Sequence, residues 1–182
     1  PDLTALFCGY ALVGGMAQIL ATLFVVLIFA ERNFAVGITF KKTEVIQTAI
    51  VGFLVLGDRI SFYGFLAILT GLIGVLILSE TPQTGGRGWR RFANRAAGLG
   101  LASGAIFAVS AVGYRGAALQ IGSDDPLLSA VVTASVVTIV QTLVMGIWLI
   151  ARESGEVGRV WAERRRAVWI GISSLAGSVG WF

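Results

Sequence analysis

The chain has 182 residues, of which 56% are hydrophobic and 13% charged, and its mean hydropathy is +0.84. Soluble globular domains run nearer 45–50% apolar and about 25% charged, so this balance excludes an ordinary water-soluble domain and points to an integral membrane protein. The net charge of +4 is too modest to imply nucleic acid, the absence of histidine removes the commonest metal ligand and general base, and the single cysteine, Cys8, excludes an intrachain disulfide.

Uncharged stretches longer than about 18 residues recur along the chain, which predicts a helical bundle rather than a barrel of short alternating strands. The first predicted helix is Phe7 to Phe29. It is interrupted by Gly14-Gly15 and carries Gln18 and Thr22 four residues apart, on one face. Glu31-Arg32-Asn33 breaks it from a second helix, Phe34 to Leu56. Lys41, Lys42 and Glu44 lie about a third of the way along that helix. At such depth each charge costs roughly 2.5–3.5 kcal/mol, so charges there are usually kept for a purpose. The tight polar turn Gly57-Asp58-Arg59 leads to a third helix, Ile60 to Ser79, without a charged residue. Its length spans roughly 30 Å, the thickness of a bilayer's hydrocarbon core. Gly64, Gly71 and Gly74 on it would let a neighbouring backbone approach closely.

The composition then shifts. Residues 80–95 hold Pro82, an adjacent glycine pair and four arginines, and read as a basic linker with Trp89 and Phe92 at headgroup level. The fourth helix, Ala97 to Leu119, contains Gly100 and Gly104 in a GxxxG spacing. Ser123-Asp124-Asp125-Pro126 reads as a break with an N-cap and a proline in the first turn. The fifth helix is Leu127 to Ile150, and Arg152 to Arg166 is a polar loop with room for a short surface helix around Trp161. The sixth, Ala167 to Phe182, is short for a span, so the chain is expected to be a piece of a longer protein, with sequence missing at both ends. The positive-inside rule places the two Arg-rich loops in the cytoplasm.

Lys41 and Glu44 stand three apart and Thr43 and Gln47 four apart, so each pair shares a face. Together with Lys42 they read as a solute or proton site, with Glu44 the titratable group and a lysine its partner. The alternative is a helix that starts late, near Thr39, and leaves the lysines interfacial. Gln18 and Thr22, and the stripe Ser135, Thr138, Gln141, Thr142 and Met145, either line a polar pathway or bond between helices. Arg115 reads as an interface anchor. No CxxC, HExxH, P-loop or dinucleotide fingerprint is present, and no metal or cofactor is expected.

The stretch from Leu56 to Ser79 resembles the EamA module of the drug/metabolite transporter superfamily, through the turn Gly57-Asp58-Arg59 and the following Gly64, Gly71, Gly74 and Val75. The Gly-rich restart over residues 98–119 resembles the family's second repeat. The resemblance implies an all-α bundle of ten helices in two five-helix repeats, of which about six segments are present here. On that mapping residues 1–80 are the later part of the first repeat, 81–95 the linker and 96–182 the early part of the second. A faint likeness between residues 12–18 and 175–181 accords with it. It further implies a multi-pass transporter of the bacterial inner membrane, an exporter of small organic metabolites or drugs by alternating access. Solute and lipid would then be its partners, and a homodimer is compatible with it. With both ends of such a protein in the cytoplasm, the Arg-rich loops would lie outside, the reverse of the loop-charge reading. The sequence also departs from the family pattern: many relatives have a proline at the position of Val45, so contacts at that level do not carry over. A non-transporting scaffold assembled through Gly-rich helices is the main alternative, and a membrane-embedded enzyme the weakest.

Overall fold

A computed structural model describes residues 4–78, 95–123, 125–152, 154–164 and 168–169. The linker 81–94 and most of the sixth expected segment, including residues 175–181, lie outside the described residues. Every regular element among those described is an α-helix: α1 (Ala5–Phe29), α2 (Phe34–Lys41), α3 (Glu44–Leu56), α4 (Phe62–Leu78), α5 (Arg95–Leu119), α6 (Pro126–Arg152) and α7 (Ser154–Ala162). Three of them, α1, α5 and α6, are long and apolar enough to cross a membrane. Contacts divide the chain into two units, Pro1–Gln141 and Thr142–Phe182.

The ends of these helices have local causes. Thr4 caps α1, its hydroxyl accepting from the Phe7 N–H at 3.1 Å. Asp125 caps α6 through Oδ1, which accepts from the Leu127 N–H at 2.9 Å, and Pro126 takes the first helical position. Gly57 ends α3 at φ 70°, a left-handed conformation that L side chains resist, and its N–H reaches back to the Phe53 carbonyl. The apolar helix after this turn, α4, starts at Phe62 rather than Ile60, because Ile60 and Ser61 belong to the turn and the Ser61 hydroxyl accepts from the Gly64 N–H; Ser79, the expected last residue, lies outside the described residues.

The larger correction is between residues 34 and 56, where one helix was expected and two form. The chain leaves α2 through turn bonds from the Lys42 and Thr43 N–H groups to the Ile38, Thr39 and Phe40 carbonyls. It re-enters α3 with the Ile46 and Gln47 N–H groups on the Thr43 carbonyl. The Thr43 hydroxyl donates to the Phe40 carbonyl at 2.7 Å, a side-chain bond that competes with helix continuation. A basic residue, Lys41, closes α2 and an acidic one, Glu44, opens α3, each on the end that the helix dipole favours. A late start near Thr39 is not what forms, since α2 is helical from Phe34.

Within Pro1–Gln141 the packing centres on α5. Tyr10 lies against Gly116, Gly14 against Gly113 and Ala21 against Ser103, so α1 runs antiparallel to α5. Gly37 lies against Gly100, Lys41 against Gly104 and Gly52 against Val112, so α2 and then α3 follow α5 in its own direction. The buried residues of α5 are almost all Gly, Ala and Ser, the composition that lets helix backbones touch. A methyl group on Gly100 would overlap the Gly37 carbonyl oxygen, and one on Gly37 would lie 2.8 Å from the Ala96 carbonyl oxygen. Large apolar side chains point outward instead, among them Leu23, Phe53, Ile73 and Ile139. Small residues inside and large ones outside is an arrangement that suits lipid rather than water.

Ion pairs tie both ends of α5 to neighbouring turns. Arg95 meets Glu31 at 3.3 Å, and Arg115 meets Asp58 at 3.0 Å. Both arginines are mostly exposed, so each pair contributes about 0–1 kcal/mol and serves mainly to fix position. In the unit Thr142–Phe182, α6 continues to Arg152 and α7 carries an exposed Trp161, whose ring centre is 6.0 Å from the Arg164 guanidinium.

The close approach predicts a sharp contrast within one helix. Gly100→Ala must push backbone against backbone and should destabilise by about 1–3 kcal/mol. Gly98→Ala, with nothing within 4 Å of the added carbon, should be neutral or stabilising. Thermal unfolding of the two purified variants checks this.

Candidate functional site

The break between α2 and α3 brings four of the residues expected to matter into one place. Lys41 Nζ lies 2.9 Å from Glu44 Oε2, with the two side chains 21% and 28% exposed. The same ammonium sits 4.5 Å from the ring centre of Phe107 on α5, over its electron-rich face. Gln47 Nε2 donates to the Thr43 hydroxyl at 3.1 Å. Gln47 Oε1 is buried and accepts no hydrogen bond. Glu44 Oε2 is buried too, and the lysine faces it at ion-pair distance but outside hydrogen-bond geometry. The polar groups of the break therefore retain unused acceptor capacity.

The wall behind them is α5. A methyl group on Gly104 would lie 2.9 Å from Gln47 Oε1, 3.1 Å from the Lys41 carbonyl oxygen and 3.4 Å from the Glu44 nitrogen. Glycine at that position is what lets the unwound backbone and the amide rest directly on the helix. Gly104 is nine residues from Arg95 and eleven from Arg115, or roughly 13.5 Å and 16.5 Å along the axis. The charged pair thus sits near the midpoint between the two ionic ends of α5.

A second polar cluster joins α1, α5 and α6. Gln141 Nε2 lies within donating distance of the Gly15 carbonyl at 3.1 Å, Gln18 Oε1 at 3.3 Å and the Tyr114 hydroxyl at 3.1 Å. The Tyr114 hydroxyl in turn donates to Gln18 Oε1. Gly14 makes the room: a methyl there would meet the Tyr114 ring at 2.8 Å, whereas one on Gly15 would sit at ordinary contact distance, 3.6 Å from Gln141 Cγ. Gln18 and Gln141 were expected to matter and do meet. Tyr114, next to Arg115 in sequence, is the residue whose side chain connects them.

Other expected residues lie apart from these clusters. Lys42 is exposed at the break. Thr22 is exposed, and its hydroxyl donates back to the Gln18 carbonyl within α1 at 2.8 Å. Thr138 is exposed, as are Ser135, Thr142 and Met145, while Gln141 of that stripe enters the second cluster. The polar residues that α6 buries are Ser129 and Thr133 instead, and on α5 the buried Ser103 hydroxyl donates to the Ala21 carbonyl at 3.1 Å. The glycines divide likewise. Gly100 and Gly104 make close backbone contacts, whereas among the described residues a methyl on Gly71 or Gly74 of α4 would meet nothing within 4 Å and one on Gly64 would meet Ile60 and Ser61 of its own turn.

No family model, curated protein or solved structure matches this chain. The site is therefore read from its own chemistry. It offers a cation, a carboxylate and a free amide oxygen at an interrupted helix, which suits reversible polar binding. Among the described residues no three His, Cys, Asp or Glu side chains converge as a metal site would need.

A double-mutant cycle over Lys41→Met and Glu44→Gln tests whether the pair acts as a unit. Each single change leaves one half-buried charge without its partner, so the double variant should be more stable than the summed single effects by about 1 kcal/mol or more. Additive effects on thermal unfolding would mean the two side chains act independently.

Proposed function

We propose that the chain forms part of a secondary transporter, an EamA-type exporter of small organic metabolites or drugs that spans the bacterial inner membrane several times and works by alternating access. The observation that carries this reading is the interrupted helix α2–α3 with the Lys41–Glu44 pair midway along α5. In lipid, unwound backbone and charge at such depth are tolerated only against protein or a water-filled cavity. Discontinuous helices whose opposed ends face a midplane site are a recurring device of secondary transporters. α1, α5 and α6 would cross the bilayer, with α2–α3 and α4 as further crossings.

The break also supports the EamA likeness. It falls at Lys42 and Thr43, just before Val45, the position where many relatives carry a proline. Here the run Lys41-Lys42-Thr43-Glu44 interrupts the helix without one. Glu44 would be the group that exchanges a proton or a cationic part of the solute, with Lys41 as the counter-charge that holds the empty site neutral. Gln47 Oε1, buried without a donor, supplies a ready acceptor. Two basic segments beside the spans, one on each side of α5 and α6 in sequence, would face the cytoplasm.

A non-transporting scaffold is the second reading, favoured by Gly71 and Gly74, where an added methyl would meet nothing within 4 Å among the described residues and another helix could seat. The two are separated by counterflow in proteoliposomes holding the full chain, using a panel of cationic, anionic and zwitterionic small solutes with and without a pH gradient. The transporter reading predicts that Glu44→Gln lowers transport at least about tenfold and removes its pH dependence. Unchanged transport and pH dependence would remove Glu44 from the mechanism. No transport of any solute, with self-association lost in Gly71→Leu, would favour the scaffold.

A further inference from the structure

The turn Gly57-Asp58-Arg59 holds two opposite charges with different fates. Asp58 is committed to Arg115 on α5. Arg59 is exposed and makes no ion pair among the described residues. Beside it a cleft of about 660 Å³ opens between α3 and α4, lined by Ile46, Ile50 and Phe53 on one side and Phe65 and Ile68 on the other. Among the described residues Arg59 is the one charged residue in that lining. The cleft volume falls in the range of small-ligand sites, about 300–1,000 Å³.

We infer that this cleft is a binding site for a phospholipid with an anionic headgroup, an acyl chain lying between α3 and α4 and the headgroup phosphate held by Arg59. The inference rests on the membrane reading above and concerns a different part of the protein from the Lys41–Glu44 site. The charge pattern selects the occupant. An apolar trough with a single guanidinium in its described lining matches a molecule with an apolar body and a negative head. A guanidinium offers planar, paired donors to phosphate, in the geometry that makes Arg–phosphate contacts strong. The level is also right, because the adjoining Asp58–Arg115 pair marks the charged end of α5, where headgroups would lie, and the cleft runs from there toward Ile46. A second copy of the hairpin fits less well. Its carboxylates, Glu44 and Asp58, are already engaged by Lys41 and Arg115, so a symmetric pairing would leave both Arg59 side chains without a partner.

Native mass spectrometry of the full chain, released from micelles holding equal amounts of phosphatidylglycerol and phosphatidylcholine with matched acyl chains, tests this. The wild-type protein should retain phosphatidylglycerol over phosphatidylcholine by about tenfold, as expected for one charge-assisted contact. Arg59→Gln should abolish that preference, while Arg32→Gln, at an exposed arginine outside the cleft, should keep it. Ile50→Trp, which fills the cleft, should reduce retention of both lipids. Equal retention by the wild-type protein, or a preference that survives Arg59→Gln, would overturn the inference. So would a dimer that Ile50→Trp dissociates in the absence of lipid, since the cleft would then belong to a second copy. Failure of the membrane reading shows separately, as release of the protein from membranes by alkaline carbonate.

Discussion

The structure depends on how thin α5 is. Its buried face is built from glycine, alanine and serine, so three other helices approach it at backbone distance. In lipid the hydrophobic effect does not drive helices together, and association rests on close van der Waals packing and a few interhelical hydrogen bonds. A side chain at Gly100 or Gly104 would hold α2 and the following turn away from α5. The Lys41 carbonyl, the Glu44 nitrogen and the Gln47 amide would then lose the surface they rest on. The same thinness at Gly113, opposite Gly14, brings the Tyr114 ring to α1 and so builds the second polar cluster. Both clusters are thus consequences of one feature, the absence of side-chain bulk along a single helix.

The break at Lys42 and Thr43 reflects a balance of modest terms. Interrupting a helix gives up several backbone hydrogen bonds, each worth about 1 kcal/mol net. In exchange, Lys41 gains the negative end of one half-helix and Glu44 the positive end of the next, each worth about 0.3–1 kcal/mol or somewhat more when shielded from water. The pair adds its mutual attraction, the Phe107 ring adds a cation–π contact, and Thr43 recovers a backbone acceptor through its own hydroxyl. A continuous helix would keep its backbone bonds but leave the charges without the two dipole ends. The break therefore follows from the charges rather than from any helix-breaking residue.

Much of the helical layout is legible in the sequence because uncharged runs are long and their boundaries are polar. α1 starts at Ala5 where Phe7 was read, and α6 spans Pro126–Arg152 where Leu127 to Ile150 was read. The break was not legible by the signals usually consulted, since residues 34–56 contain no proline and a glycine only at Gly37 and Gly52. A subtler signal was present: lysines at the end of one turn, threonine at an N-cap position and glutamate after it are the marks of one helix ending and another starting. Spacing also identified which residues share a face but not which faces meet. It could not separate Gly100, Gly104, Gly113 and Gly116 of α5, which lie close against neighbouring helices, from Gly71 and Gly74 of α4, which meet none among the described residues. Nor could it place Tyr114 between Gln18 and Gln141, a meeting of α1 with residues 96 and 123 positions further along the chain.

The central claim is that the interruption lies deep in the bilayer, with charge held there by protein. The most direct measurement is the depth of a nitroxide attached at Lys42→Cys in a Cys8→Ser background, read by spin-label relaxation with oxygen and a water-soluble nickel complex in reconstituted membranes. The account predicts a label roughly 13 Å below the headgroups, close to the middle of a 30 Å core. A label at headgroup depth would contradict it, because the lysines and Glu44 would then be ordinary interfacial charges.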